Sequence, residues 1–127
     1  MKIKPQNFIV RGTVFPYDVM FSVNQTPKQL IKVLSKSIPD AEEHEDDLTP
    51  SGQGRTVQMP QGGVIVMIKP MNDFCAFHGI VAHEIFHACD LILNKAGLNH
   101  ALGVSDEAYA YLIGWLTQEF YENLKTK

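Results

Sequence analysis

The chain has 127 residues, 45% of them hydrophobic and 20% charged, with a formal net charge of −3 and two cysteines. That length suits one domain spanning 1–127, with enough apolar material for a core that needs no disulfide staples. The acidic balance lacks the basic footprint of a nucleic-acid binder. Cys75 and Cys89 form no C-x-x-C and no framework, and His, Glu and Asp interrupt the longest apolar stretches, so no membrane span is expected.

Phe8 to Phe15, with Ile9, Val10, Thr13 and Val14, and Val19 to Val23 read as two short antiparallel strands around turn material at Pro16-Tyr17-Asp18. Thr26-Pro27 has the pattern of an N-cap and first helical residue. Leu30, Ile31, Val33, Leu34 and Ile38 give that helix an apolar face, and Pro39 ends it. The charge run Ala41 to Asp47 predicts a solvated, mobile loop, or an acidic lip favouring basic substrates. Arg55 to Met59 and Val64 to Lys69 form a hairpin across Pro60-Gln61-Gly62-Gly63. Its second arm, Val64-Ile65-Val66-Met67-Ile68, is continuously apolar and should be covered on both faces.

A long helix follows, capped by Asn72 or Asp73, running to about Lys95 with Gly97 at its C′ position. It carries His83-Glu84-Ile85-Phe86-His87, an H-E-x-x-H pattern. Helical spacing puts the two histidines on one face, where two imidazoles can share one Zn²⁺ and the glutamate can act as general base for a bound water. At about 100° per residue, His87, Asp90 and Asn94 share the His83 stripe. Ala82, Ile85, Cys89, Ile92 and Leu93 should form the opposite, buried side. After a short loop, Ser105 caps a last helix from about Asp106 to Leu124, packed by Leu112, Ile113, Trp115, Leu116 and Phe120, and the Lys125-Thr126-Lys127 end should fray. Cys75 and Cys89 are expected as buried thiols, His78 as a core or interface histidine, and His44 as solvated.

A catalytic zinc ordinarily takes three protein ligands. If the last helix folds back antiparallel, its first turn brings Asp106 and Glu107 towards the histidines, and His100 is a further candidate. Glu107 lies twenty residues after His87.

These two motifs, spread over roughly residues 55–120, resemble the gluzincins, metallopeptidases with H-E-x-x-H on one helix and a glutamate ligand on the next. Thermolysin-like and M1 aminopeptidase-like members show a similar spacing, and Asp106-Glu107-Ala108-Tyr109-Ala110-Tyr111 is similar to the M1 glutamate segment. The small ImmA/IrrE-type zincins of phages and mobile elements fit the chain length better. The resemblance implies His83, His87 and Glu107 as metal ligands, Glu84 as general base, and the strand Val64–Ile68 as the edge that pairs with an extended substrate. Where thermolysin-like enzymes have a supporting aspartate, this chain has Tyr111, so Asp90 or Asp106 would accept a histidine N–H instead. Asp90 and Leu93 occupy the glycine and third-histidine positions of a metzincin and remove that alternative. Tyr109, Tyr111, His78 and His100 are the candidates for stabilising a transition state.

The expectation is therefore an α+β domain of minimal zincin type: a small mixed or antiparallel sheet, an active-site helix and a C-terminal glutamate helix. It would bind one Zn²⁺ and hydrolyse a peptide or protein substrate by Glu-assisted attack of zinc-bound water, with neither nucleic acid nor membrane as partner. The alternative is a zincin-fold binding or regulatory module with a structural metal. Met1 to Pro5 is too short and polar for a signal peptide, so the expected location is cytoplasmic or phage-associated.

Overall fold

Four short strands rich in β-branched and aromatic residues pair into one mixed sheet: β1 (Gln6–Val10), β2 (Val19–Val23), β3 (Gly54–Gln58) and β4 (Val64–Ile68), in spatial order β1-β2-β4-β3. β1–β2 and β3–β4 are antiparallel, while β2 and β4 run parallel, with Val19 opposite Val64. With the helices α1 (Pro27–Leu34), α2 (Phe74–Lys95) and α3 (Asp106–Asn123), the architecture is α+β, as expected. The computed structural model describes residues 2–12, 15–60 and 62–126. Thr13 and Val14 of the expected first strand, Gln61 of the hairpin turn and Lys127 lie outside them.

β1 stops at Val10 rather than continuing to Phe15. Asp18 turns the chain there: its carboxylate accepts the Gly12 N–H at 2.9 Å and the Arg11 guanidinium at 2.9 Å. A Cβ at Gly12 would collide with the Phe15 carbonyl oxygen. These two donors, the Gly12 N–H first, hold the Asp18 carboxyl below its ordinary pKa.

α1 begins with a capping box. Thr26 Oγ1 accepts the Gln29 N–H, and the Gln29 side chain accepts the Thr26 N–H. The helix ends at Leu34, earlier than Pro39 alone would require. Residues 41–48 form a short 3₁₀ turn and further turns. This segment is not simply a free acidic loop: Ala41 and Leu48 are buried, and Arg55 donates to the Asp46 and Thr49 carbonyls at 2.8 and 3.2 Å.

The sheet is covered on both sides. Val64, Val66 and Ile68 join Val19, Phe21 and Val23 against α2 and α3. Ile65 and Met67 pack instead with Leu30, Ile31, Leu34 and Leu48 on the α1 side. The continuously apolar β4 is thus buried on both faces, as its sequence predicts. Being covered on both faces and bonded along both edges, β4 is central. The expectation that Val64, Ile65, Val66, Met67 and Ile68 form a substrate-pairing edge is therefore wrong, and the free edge beside α2 is β3.

Asp73 is the N-cap of α2, accepting the Cys75 and Ala76 N–H groups at 2.9 and 3.3 Å. At the other end Gly97, with φ +89°, closes a Schellman turn in which the Leu98 N–H bonds to the Leu93 carbonyl. α2 is long and apolar enough to cross a membrane, and the fold uses that apolarity as a core face: Phe77, Val81, Ile85, Ala88, Cys89, Ile92 and Leu93 are buried. One side chain departs from the expected phase: Ala82 is exposed. Glu84 is buried, because the sheet side of α2 extends towards β3.

Ser105 precedes α3, yet its hydroxyl does not cap it. It donates to the Asn99 carbonyl at 2.6 Å and accepts the Ala101 N–H, holding the preceding loop. Lys125 and Thr126 are tied down rather than frayed: Gln6 exchanges two 2.8 Å bonds with the Lys125 backbone, and Thr126 bridges to Ile3. Cys89 is buried as expected, which pushes its thiol up to about 12, whereas Cys75 is exposed.

Candidate active site

α2 presents His83 and His87 one turn apart on its exposed side, with imidazole Nε2 atoms 3.2 Å apart. Ligand atoms of a tetrahedral centre with bonds of about 2.05 Å stand about 3.3 Å apart. The two nitrogens therefore converge at the separation that one shared metal ion requires.

Glu84 lies at the same cleft in the opposite condition. Its side chain is 7% exposed against 64% for His83, and its Oε2 is 3.9 Å from His83 Nε2. Edge strand β3 roofs it. The Thr56 hydroxyl lies 2.8 Å from Glu84 Oε1 and 3.1 Å from the Glu84 carbonyl oxygen. Gly54 makes the room: a Cβ there would stand 2.9 Å from Glu84 Cγ and 3.1 Å from Oε2. Thr56 and Gly54 were invisible to sequence spacing, since they reach Glu84 from a strand 28 residues away in the Thr56 case. The only sequence signal was that a hairpin precedes the motif helix.

The open cleft, about 350 Å³, is lined by Gly54, Arg55 and Thr56 from β3 and by His83, Glu84, His87, Asp90 and Leu91 from α2. Asp90 sits within it, as the shared stripe predicts, and its Oδ1 accepts the buried Tyr109 hydroxyl at 2.7 Å. That bond joins α3 to the floor of the cleft. Burial first, and then the Asp90 carboxylate, push the Tyr109 hydroxyl up to about 12.

Other expected participants lie elsewhere. Glu107 is exposed and outside the cleft lining. α3 turns Tyr109, Leu112, Leu116 and Phe120 inward, and Glu107, two residues before Tyr109, points about 160° away from that face. Asp106, the first residue of α3, turns back to the preceding loop, accepting the Gly103 N–H at 2.7 Å and facing His100 at 3.5 Å. Tyr111 is exposed and borders a separate small cavity with Ile92 and Trp115. His78 is half-buried and bonded to the Tyr121 hydroxyl, an interface between α2 and α3. Among the described residues no three His, Cys, Asp or Glu side chains form a ready metal-binding group. The structure brings together the two histidines, the buried glutamate and Asp90, and it leaves the third donor position outside this constellation.

Comparison of the chain with protein-family models, with curated proteins and with solved structures finds no match in any of the three.

Proposed function

We propose that the protein is a zinc-dependent metallopeptidase acting on extended polypeptide segments. The observation that carries this reading is the pairing of two converging imidazoles with a shielded carboxylate beside them, at the foot of an open sheet edge. His83 and His87 would hold the metal. Asp90 is the second carboxylate in the cleft, beside Glu84, and Glu107 is the one that the gluzincin resemblance implies as third donor. When bound, Zn²⁺ supplies Lewis-acid chemistry, polarising a carbonyl and acidifying a water.

The chain's own residues supply the rest. Glu84, fixed beneath β3, is placed to take a proton from the nucleophile and to pass it to the leaving amine. Among the described residues β3, rather than β4, has backbone groups without a partner along the cleft, so an extended peptide can add as a further strand. Recognition through backbone bonds favours unfolded or loop segments over a particular sequence.

Metal analysis and cleavage of a mixed decapeptide library test this. The native protein and the Glu84→Gln variant should each hold about one zinc per chain, and only the native protein should cleave. Equal cleavage by the variant would sink the proposal. Zinc content of Asp90→Ala and Glu107→Ala variants assigns the third donor. Loss in the latter would mean that the first turn of α3 rearranges on metal binding.

A second reading, a binding module on the same scaffold, draws on one observation. Leu102 and Val104, in the loop between α2 and α3, are 90% and 84% exposed, the kind of apolar surface a protein partner covers. Undiminished biological function of Glu84→Gln would select it.

A further inference from the structure

The hydrogen-bond phase of β3 carries a consequence for Thr56. At one end of the β3–β4 ladder the Met59 N–H bonds to the Gly63 carbonyl at 2.8 Å, and at the other the Lys69 N–H bonds to the Gln53 carbonyl at 2.8 Å. Between them the register runs Gly54 opposite Ile68, Arg55 opposite Met67, Thr56 opposite Val66 and Val57 opposite Ile65. Bonded and non-bonded pairs alternate in an antiparallel ladder. Residues 53, 55, 57 and 59 therefore direct their N–H and C=O groups to β4, and Gly54, Thr56 and Gln58 direct theirs to the open edge.

Side chains alternate as well, and those of the even-numbered positions face α2, where Thr56 meets Glu84. One residue thus has its backbone polar groups on the free edge and its hydroxyl on the carboxylate proposed as general base. Its single hydroxyl proton has two acceptors on the same residue, Oε1 at 2.8 Å and the main-chain carbonyl at 3.1 Å. Thr56 therefore references the Glu84 carboxylate both to the α2 backbone and to the edge strand.

We propose that Thr56 is the residue that aligns substrate with base: its N–H and C=O bind the extended substrate backbone while its hydroxyl fixes the Glu84 carboxylate. The inference rests on the peptidase reading. It goes further by fixing the substrate register to the Gly54–Thr56–Gln58 edge and by making the Thr56 side chain a positioning group. Gly54 serves the same end by leaving the carboxylate room beneath the strand.

Thr56→Val keeps the β-branched shape and the strand backbone and removes only the hydroxyl, whereas Thr56→Ser keeps the hydroxyl. With the decapeptide library as substrate, Thr56→Val should lower kcat by about 10- to 100-fold and change KM by less than about twofold. Thr56→Ser should recover kcat to within about threefold of native, and zinc content should stay at about one per chain in both. Native kcat in Thr56→Val, alongside an inactive Glu84→Gln, would overturn the role of Thr56 and leave the peptidase reading standing. Cleavage by Glu84→Gln would instead remove the reading itself. Two measurements stand apart from turnover. A crystal structure of Thr56→Val should show the Glu84 carboxylate displaced, and an undisplaced carboxylate refutes the positioning role. In Glu84→Gln saturated with an uncleaved decapeptide, the amides of Gly54, Thr56 and Gln58 should gain protection from hydrogen exchange, and unchanged exchange there refutes the register.

Discussion

Tyr109 shows how a single buried hydroxyl can be read for both its packing and its titration. It is buried against α2, donates to Asp90 at 2.7 Å, and stands up to about 12 instead of the ordinary 10. Burial is the larger cause and the Asp90 carboxylate the next. Because the folded state holds the proton more tightly, Tyr109 contributes stability that is complete below about pH 10 and lost as pH rises through about 12. Urea midpoints for the native protein should fall between about pH 9 and about pH 11.5, and Tyr109→Phe should make that fall shallower. Tyr121 is pushed the same way by its burial, so part of the decline persists in the variant. A native and variant decline of equal steepness would show that Tyr109 is neither buried nor bonded to Asp90 in solution as described here. At this scale the sequence was informative where chemistry is local. His83, Glu84, His87 and Asp90 lie within eight consecutive residues of one helix, so helical spacing alone places them on one cleft. It was uninformative where partners come from afar: nothing near Thr56 marks it as the residue on Glu84, and the phase of α3 that turns Glu107 outward depends on which side of α3 meets α2.

Elements are specified mainly at their ends, and α2 illustrates this most directly. Asp73 supplies a carboxylate acceptor to two otherwise unpaired N–H groups and a negative charge at the positive end of a 22-residue helix dipole. Asp73→Ala should destabilise the protein by about 1 kcal/mol, and Asp73→Asn, which keeps an acceptor, by less than half of that. The difference is measurable as a shift of the urea midpoint with unchanged slope, and an Asn variant as weak as the Ala variant would assign the effect to charge alone. The caps at Thr26, Asp73 and Gly97 were legible in the sequence because each is a local residue pattern. The cap at Ser105 was legible but misleading, since its hydroxyl is engaged by Asn99 and Ala101. Strand order was half legible. The unbroken apolar run of β4 already required cover on both faces, and an edge strand with one solvent-facing side would not carry it. What the run could not give was the parallel pairing with β2, which closes across α1 and depends on contacts distant in sequence.

For the whole molecule, the sheet separates two cores of unequal size, and the larger one supports α2, the helix that carries the candidate site. Phe120 sits where β1, β2, α2 and α3 meet. Its ring centroid lies 4.9 Å from Phe21, 5.7 Å from Phe8, 6.4 Å from Phe77 and 5.0 Å from Tyr121. No solvent reaches it. The smaller core under α1 contains no phenylalanine, tyrosine or tryptophan among its buried members. Aromatic packing that ties both terminal segments to α2 is therefore concentrated at one point. Truncating that ring removes a large buried surface and leaves a void that four separate elements must each move to fill. Phe120→Ala should cost about 3–5 kcal/mol, a large share of the roughly 5–15 kcal/mol that holds a domain of this size together. Phe120→Leu, which keeps most of the volume, should cost distinctly less. Urea unfolding followed by circular dichroism, with the slope compared across variants, checks both. A Phe120→Ala loss below about 1 kcal/mol would mean that α3 does not dock on the sheet as described. The same shift measured in the presence of zinc separates fold from site: binding that favours the folded state should raise the midpoint of native and Phe120→Ala alike, because His83 and His87 lie on the opposite, exposed side of α2 from the aromatic cluster.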